Sequence, residues 1–139
     1  MAKTVRDIMT NNPVAMPQTA SIAEAAHQMR DAAIGDVIVL DGDRVTGIVT
    51  DRDIVVRGLA EGRDPKGTRL GDICSRELST VTPADAVDKA IQLMSDKAVR
   101  RLPVVDKGRA VGIVSIGDLA LERDRRSALG TISAAPPNQ

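Results

Sequence analysis

Short runs of β-branched residues alternate along this chain with longer stretches in which apolar residues recur every three or four positions. Val37-Ile38-Val39-Leu40 is an unbroken apolar run that suits a strand buried on both faces. Asp41-Gly42-Asp43-Arg44 supplies a hairpin turn with a glycine available for positive φ, and Val45 to Thr50 forms the return strand. Upstream, Ile22, Ala25, Ala26, Met29 and Ala33 keep helical spacing, with Glu24, Gln28, Arg30 and Asp31 on the solvent side. Ser21-Ile22-Ala23-Glu24 ahead of them has the form of a capping box and predicts where that helix starts. Val14-Ala15-Met16 reads as a short strand between the breaker Asn11-Asn12-Pro13 and Pro17, and Ile54, Val55, Leu59 and Ala60 form one side of a helix after Thr50.

The same series returns 65 residues later. Val5-Arg6-Asp7-Ile8-Met9 and Leu70-Gly71-Asp72-Ile73-Cys74 open the two copies as leading turns. Thr80-Val81-Thr82 answers the first strand, and Val87, Ala90, Ile91, Met94 and Ala98 answer the helical stripe, with Asp85 as the expected cap. Leu102 to Val105, the turn Asp106-Lys107-Gly108-Arg109, Ala110 to Ser115 and a helix from about Asp118 to Arg126 complete the second copy. The chain therefore reads as an α+β protein of two β-α-β-β-α repeats: 5–62, a linker at 63–69 rich in breakers and charges, 70–126, and a mobile C-terminal tail at 127–139. Neither repeat covers its own apolar faces, so the two are expected to share a core about a pseudo-two-fold axis.

Composition narrows the function classes. Nineteen basic residues balance nineteen acidic ones, so no net field draws the chain to nucleic acid or an anionic membrane. Phe, Tyr and Trp are absent, which removes the stacking platforms most single-strand binders use. Cys74 is the sole cysteine, which excludes an internal disulfide and a cysteine zinc cluster and points to a reduced cytoplasm. No signal core and no run near the roughly 20 apolar residues of a membrane span is visible, so a cytoplasmic protein without a membrane partner is expected.

The candidate chemistry lies where strand meets helix. Gly47-Ile48-Val49-Thr50-Asp51-Arg52-Asp53 and Gly112-Ile113-Val114-Ser115-Ile116-Gly117-Asp118 each end an apolar strand in a hydroxyl, with an aspartate three residues on. Such a carboxylate caps the first helical turn, or it accepts from the adjacent hydroxyls of a ribose, and local physics favours the cap. Thr50 and Ser115, beside helix N-termini, are placed to donate to a phosphate. No Ser-His-Asp set, metal cluster or glycine-rich phosphate loop occurs, so no catalytic and no metal residues are assigned and an enzyme is not expected. His27, alone on a polar helix face, reads as an exposed helical residue; Cys74 reads as a small buried apolar residue, with a regulatory thiol as the alternative, and Met9, Met16, Met29 and Met94 read as core.

Taken together, the repeat, the Asp-Ile-Met opening, Arg101-Leu102-Pro103-Val104-Val105-Asp106 and the Gly-Ile-Val-Thr/Ser-x-x-Asp endings resemble a tandem pair of CBS domains, named for cystathionine β-synthase, over roughly residues 5 to 122. Small proteins made only of such a pair, of hypoxic-response type, are similar in architecture. The resemblance implies repeats packed sheet to sheet, with two clefts that take adenine nucleotides or other adenosyl ligands. It implies a first cleft joining Thr50 and Asp53 to Val99, Arg100, Arg101 and the Val81-Thr82 edge. A second would join Ser115 and Asp118 to Ile34, Gly35, Asp36 and the Ala15-Met16 edge.

On that grouping Arg100 and Arg101 give the first cleft two permanent cations for phosphate oxygens, whereas Asp36, the counterpart of Arg101, makes the second the weaker one. The other reading leaves the arginines solvated or paired with Asp51, Asp53 or Asp96. Asp51 either caps the helix, leaving Asp53 free, or competes with phosphate for Arg100. The function expected is a non-catalytic sensor of an AMP-, ADP- or ATP-like adenosyl ligand, needing no cofactor, working as a homodimer and signalling to an effector protein. The alternative is a structural dimerisation module without ligand, built on Ile54, Val55, Val56, Leu59, Leu119 and Leu121.

Overall fold

The computed structural model describes residues 3–75 and 78–127, with side chains described as far as Glu122. The elements run α1 (Val5–Ile8), β1 (Thr10–Asn11), β2 (Ala15–Pro17), α2 (Ile22–Ala32), β3 (Asp36–Asp41), β4 (Arg44–Thr50) and α3 (Asp51–Asp53), which continues as a π-helical segment (Ile54–Leu59). They go on through α4 (Leu70–Ile73), α5 (Val87–Lys97), β5 (Arg101–Asp106), β6 (Arg109–Ser115) and α6 (Ile116–Ser127). Helices and strands are mixed, as expected, with two three-stranded sheets ordered β2-β3-β4 and β1-β6-β5.

Local chemistry accounts for most boundaries. Ser21 Oγ accepts from the Glu24 amide at 3.1 Å and starts α2, while Ala33 in the left-handed region ends it. Ile22, Ala25 and Met29 bury the expected stripe; Ala26 and Ala33 are exposed. In α5 the cap is Ala86, not Asp85. Asp85 instead closes the turn before it, with Oδ2 accepting from the Thr82 amide at 2.8 Å and Oδ1 from Lys89 at 3.3 Å. The linker is ordered by bonding: Pro65 and Thr68 carbonyls accept from the Ala23 and Ile22 amides, two of the unpaired donors that begin α2. Ser127 closes α6; the remainder of the expected tail, 128–139, lies outside the described residues.

The chain divides into two compact units, one of residues 12–78 and 105–111, the other of 1–11, 79–104 and 112–139. Each opening turn thus belongs with the other repeat's elements. In the second unit, the Val5 and Arg6 amides donate to the Asp85 and Pro83 carbonyls, and β1 pairs antiparallel with β6. In the first unit, the Leu70 and Gly71 amides donate to the Ala20 and Gln18 carbonyls, and Ser75 bridges Ile48. A four-residue helix has no stability of its own. Packing holds α4: Leu70 and Ile73 are buried in a core with Ile22, Val37, Val39, Val49 and Ile54, each contributing about 2 kcal/mol by area removed from water.

This exchange explains the glycine in both copies of the motif. A Cβ at Gly47 would stand 2.7 Å from the Ser75 carbonyl and 2.9 Å from Cys74 Sγ; one at Gly112 would stand 2.6 Å from Met9 Sδ and 2.9 Å from the Thr10 carbonyl. Only glycine lets the crossing segment lie against the strand at these points.

Candidate functional site

Each Thr/Ser-x-x-Asp motif closes a reciprocal cap at a strand-to-helix corner. The Asp53 amide donates to Thr50 Oγ1 at 3.1 Å, and the Thr50 amide donates to Asp53 Oδ2 at 2.9 Å. The second copy repeats this, with Asp118 N–H to Ser115 Oγ at 3.2 Å and Ser115 N–H to Asp118 Oδ2 at 2.9 Å. Asp53 and Asp118 are therefore the capping carboxylates. Asp51 is not: its Oδ1 accepts from the neighbouring Arg52 amide at 2.8 Å. In each motif aspartate the cap engages Oδ2, so capping and acceptance of a ligand hydroxyl at Oδ1 are compatible.

What flanks each corner is set by its hairpin. In β3 and β4, Asp36 lies opposite Thr50, and the Asp51 amide donates to the Gly35 carbonyl at 3.0 Å. In the other unit, the Ile116 amide donates to the Arg100 carbonyl at 2.8 Å. The residues ahead of each central strand thus neighbour the motif of their own repeat. One unit holds Thr50 and Asp53 with Ile34, Gly35 and Asp36 and with Ala15 and Met16, which pair in parallel with Ile38 and Val39. The other holds Ser115 and Asp118 with Val99, Arg100, Arg101 and the Val81-Thr82 edge, where Val81 bridges Val104. This is the grouping within each unit; the grouping expected from the resemblance concerns clefts between repeats.

The charged residues flanking the two corners differ, although the first corner also has Arg57 beside Asp53. Asp36 and the exposed Asp51 accompany Thr50 and Asp53. Exposed Arg100, half-buried Arg101 and exposed Ile116, the counterpart of Asp51, accompany Ser115 and Asp118. Val81 is buried, so it lends a corner its backbone, and Thr82 is held through its amide by Asp85. That bond and the Lys89 ammonium hold the Asp85 carboxyl below the usual carboxylate range against the opposing effect of burial.

Three features near the corners were not singled out from the sequence. Arg57 Nε lies 3.8 Å from Asp53 Oδ1, and its guanidinium donates to the Ile73 carbonyl at 3.3 Å; the i,i+4 spacing was the available signal. Glu122, only 3% exposed, pairs with Lys3 at 3.4 Å. These two line a cavity of about 190 Å³ with Asp7, Ile8, Asp118 and Leu121, below the volume that holds a nucleotide. His27 is exposed and Cys74 buried, as expected, and no group of three or more His, Cys, Asp or Glu able to hold a metal occurs among the described residues.

A family model described as CBS domain matches residues 5–59 and 70–124, which spans both copies of the motif. The chain belongs to the CBS domain family. CBS domain pairs are regulatory, non-catalytic modules. Among relatives, the CBS domain-containing protein YhcV of Bacillus subtilis is 36% identical over 127 residues, 91% of this chain and 90% of that one. Hypoxic Response Protein I, solved with two coordinated zinc ions, is similar with a TM-score of 0.76 and 35% identity over 86% of this chain and 98% of that one. The CBS domain pair of protein MJ0100, solved in complex with 5-methylthioadenosine and S-adenosyl-L-methionine, has a TM-score of 0.81 and 27% identity over 91% of this chain and 99% of that one. No helix among the described residues is long and apolar enough to cross a membrane.

Proposed function

We propose that the chain is a regulatory module that binds an adenosyl ligand at its Thr/Ser-x-x-Asp corners and reports occupancy to a partner. The observation that carries this is the pair of reciprocal caps, each of which fixes a carboxylate by one oxygen beside a helix N-terminus. The second oxygen suits a ribose hydroxyl and the corner hydroxyl suits a phosphate. The adenosyl ligands of the MJ0100 pair support the ligand class.

The corners take different ligands. Arg100 and Arg101 beside Ser115 and Asp118 favour a phosphorylated compound such as AMP, ADP or ATP. Asp36 and Asp51 beside Thr50 and Asp53 repel phosphate, so that corner takes an uncharged adenosyl group or stays empty. Ligand-dependent signalling needs only that one arrangement of the protein bind the ligand better than another.

A second reading, a homodimerising structural module, rests on the exposed apolar run Val55, Val56 and Leu59, which are 54%, 44% and 55% exposed. Ile54 and Leu119 are buried and unavailable to such an interface, and Leu121 is half-buried.

Calorimetric titration of AMP, ADP, ATP, NAD and S-adenosylmethionine into wild type, Asp53→Ala and Asp118→Ala separates the readings. The sensor predicts binding tighter than about millimolar that falls with at least one substitution. Dimerisation without any binding supports the structural module.

A further inference from the structure

Arg57 stands between the first motif and the turn that opens the second repeat. Its Nε is 3.8 Å from Asp53 Oδ1, and the same guanidinium donates to the carbonyl of Ile73 at 3.3 Å. Ile73 is the last residue of α4, where carbonyls lack intrahelical partners and a cationic donor satisfies them. Asp53 spends Oδ2 on the Thr50 amide, which leaves Oδ1 as the oxygen that both Arg57 and a ligand hydroxyl would use. The residue 65 positions on is Glu122, which pairs with Lys3 instead, so the second copy of the motif has no such guanidinium.

We infer that Arg57 is a positioning residue that couples Asp53 to the order of the Leu70–Ser75 segment. With Asp53 unoccupied, its carboxylate holds the guanidinium across the end of α4. A ligand hydroxyl that takes Oδ1 weakens that hold, and the Ile73 carbonyl loses its donor. Leu70 to Ser75 then exchanges its amide protons faster. The pair is loose and Arg57 is 54% exposed, so the contact is of the weak i,i+4 class that a better donor displaces. This rests on the proposed ligand role of Asp53, and the coupling between Asp53 and α4 is also measurable without ligand.

The test is amide hydrogen exchange at Cys74 and Ser75, whose amides donate to the Leu70 and Ile48 carbonyls. Without ligand, Arg57→Gln raises exchange there roughly twofold. Asp53→Asn keeps an acceptor for the Thr50 amide but loses the charge, and it raises exchange by a similar factor. The double substitution adds nothing further, because both act through one contact. Arg57→Lys, which keeps the charge but lacks the fork, behaves as Arg57→Gln does. Adenosine raises Cys74 and Ser75 exchange in wild type and leaves Arg57→Gln unchanged, while binding Arg57→Gln about twofold more tightly. Wild-type exchange in both Arg57 variants overturns the inference, as does an Asp53→Asn effect that adds in full to that of Arg57→Gln. If adenosine fails to bind wild type, the ligand role of Asp53 fails, and the ligand-free cycle alone decides the coupling.

Discussion

The Ile116 amide donates to the Arg100 carbonyl at 2.8 Å, which ties the start of α6 to the residue just before β5. On the proposed reading, a phosphate received at the Ser115 corner is one that the Arg100 side chain reaches from this anchored backbone. Arg100→Ala should weaken AMP about tenfold, the scale of one charge-assisted hydrogen bond, and leave adenosine unchanged. Calorimetry with both ligands reads this; equal losses for AMP and adenosine would mean that Arg100 acts on the fold, not on phosphate.

The glycines of the motif carry a stability prediction. Gly47→Ala and Gly112→Ala should each cost roughly 1–3 kcal/mol, because the new methyl meets a backbone carbonyl that cannot swing away. Gly117 lies in α6, where an added Cβ would stand 3.6 Å from Ser115 Oγ, an ordinary contact. Gly117→Ala should stabilise by up to about 1 kcal/mol through helix propensity. Urea denaturation of the three variants checks the ordering.

Asp85 predicts a pH dependence. Its carboxyl is held below the usual carboxylate range in the folded protein, first by the bond from the Thr82 amide. The stability this contributes is present above the unfolded-state pKa and is lost as pH falls through the lower folded value. Asp85→Asn should cost about 1 kcal/mol near neutrality and flatten the acid limb of the melting curve. Thermal melts of both proteins between neutral and acid pH measure it.

Val55, Val56 and Leu59 give the dimerisation reading its own test. If they form an interface, Val55→Ser combined with Leu59→Ser lowers the sedimentation mass of the protein and spares nucleotide affinity at the Ser115 corner. An unchanged mass removes this face from the account.

Much of the architecture is legible along the chain because its causes are local. Ser21 and Glu24 start α2, Gly42 and Gly108 turn the hairpins at positive φ, and the recurrence at 65 residues marks the repeats. The exchange of the opening turns is not legible, since the partners of Val5 and Leu70 lie at Asp85 and Ala20, and no local pattern names them. The register at the first corner is not legible either: counting outward from the Asp41-Arg44 pair would set Asp36 opposite Val49, and a one-residue shift between Val39 and Leu40 sets it opposite Thr50. Nor does the sequence show that each motif aspartate caps through Oδ2 alone, which makes capping and binding compatible.

The central claim is that phosphate is read at the Ser115–Asp118 corner, and the preference for AMP over adenosine tests it most directly. That preference should persist in Asp53→Ala and disappear in Asp118→Ala, with Arg100→Ala matching the latter. The reverse result, preference lost with Asp53→Ala and kept with Asp118→Ala, would contradict the account and return Arg100 and Arg101 to Thr50 and Asp53.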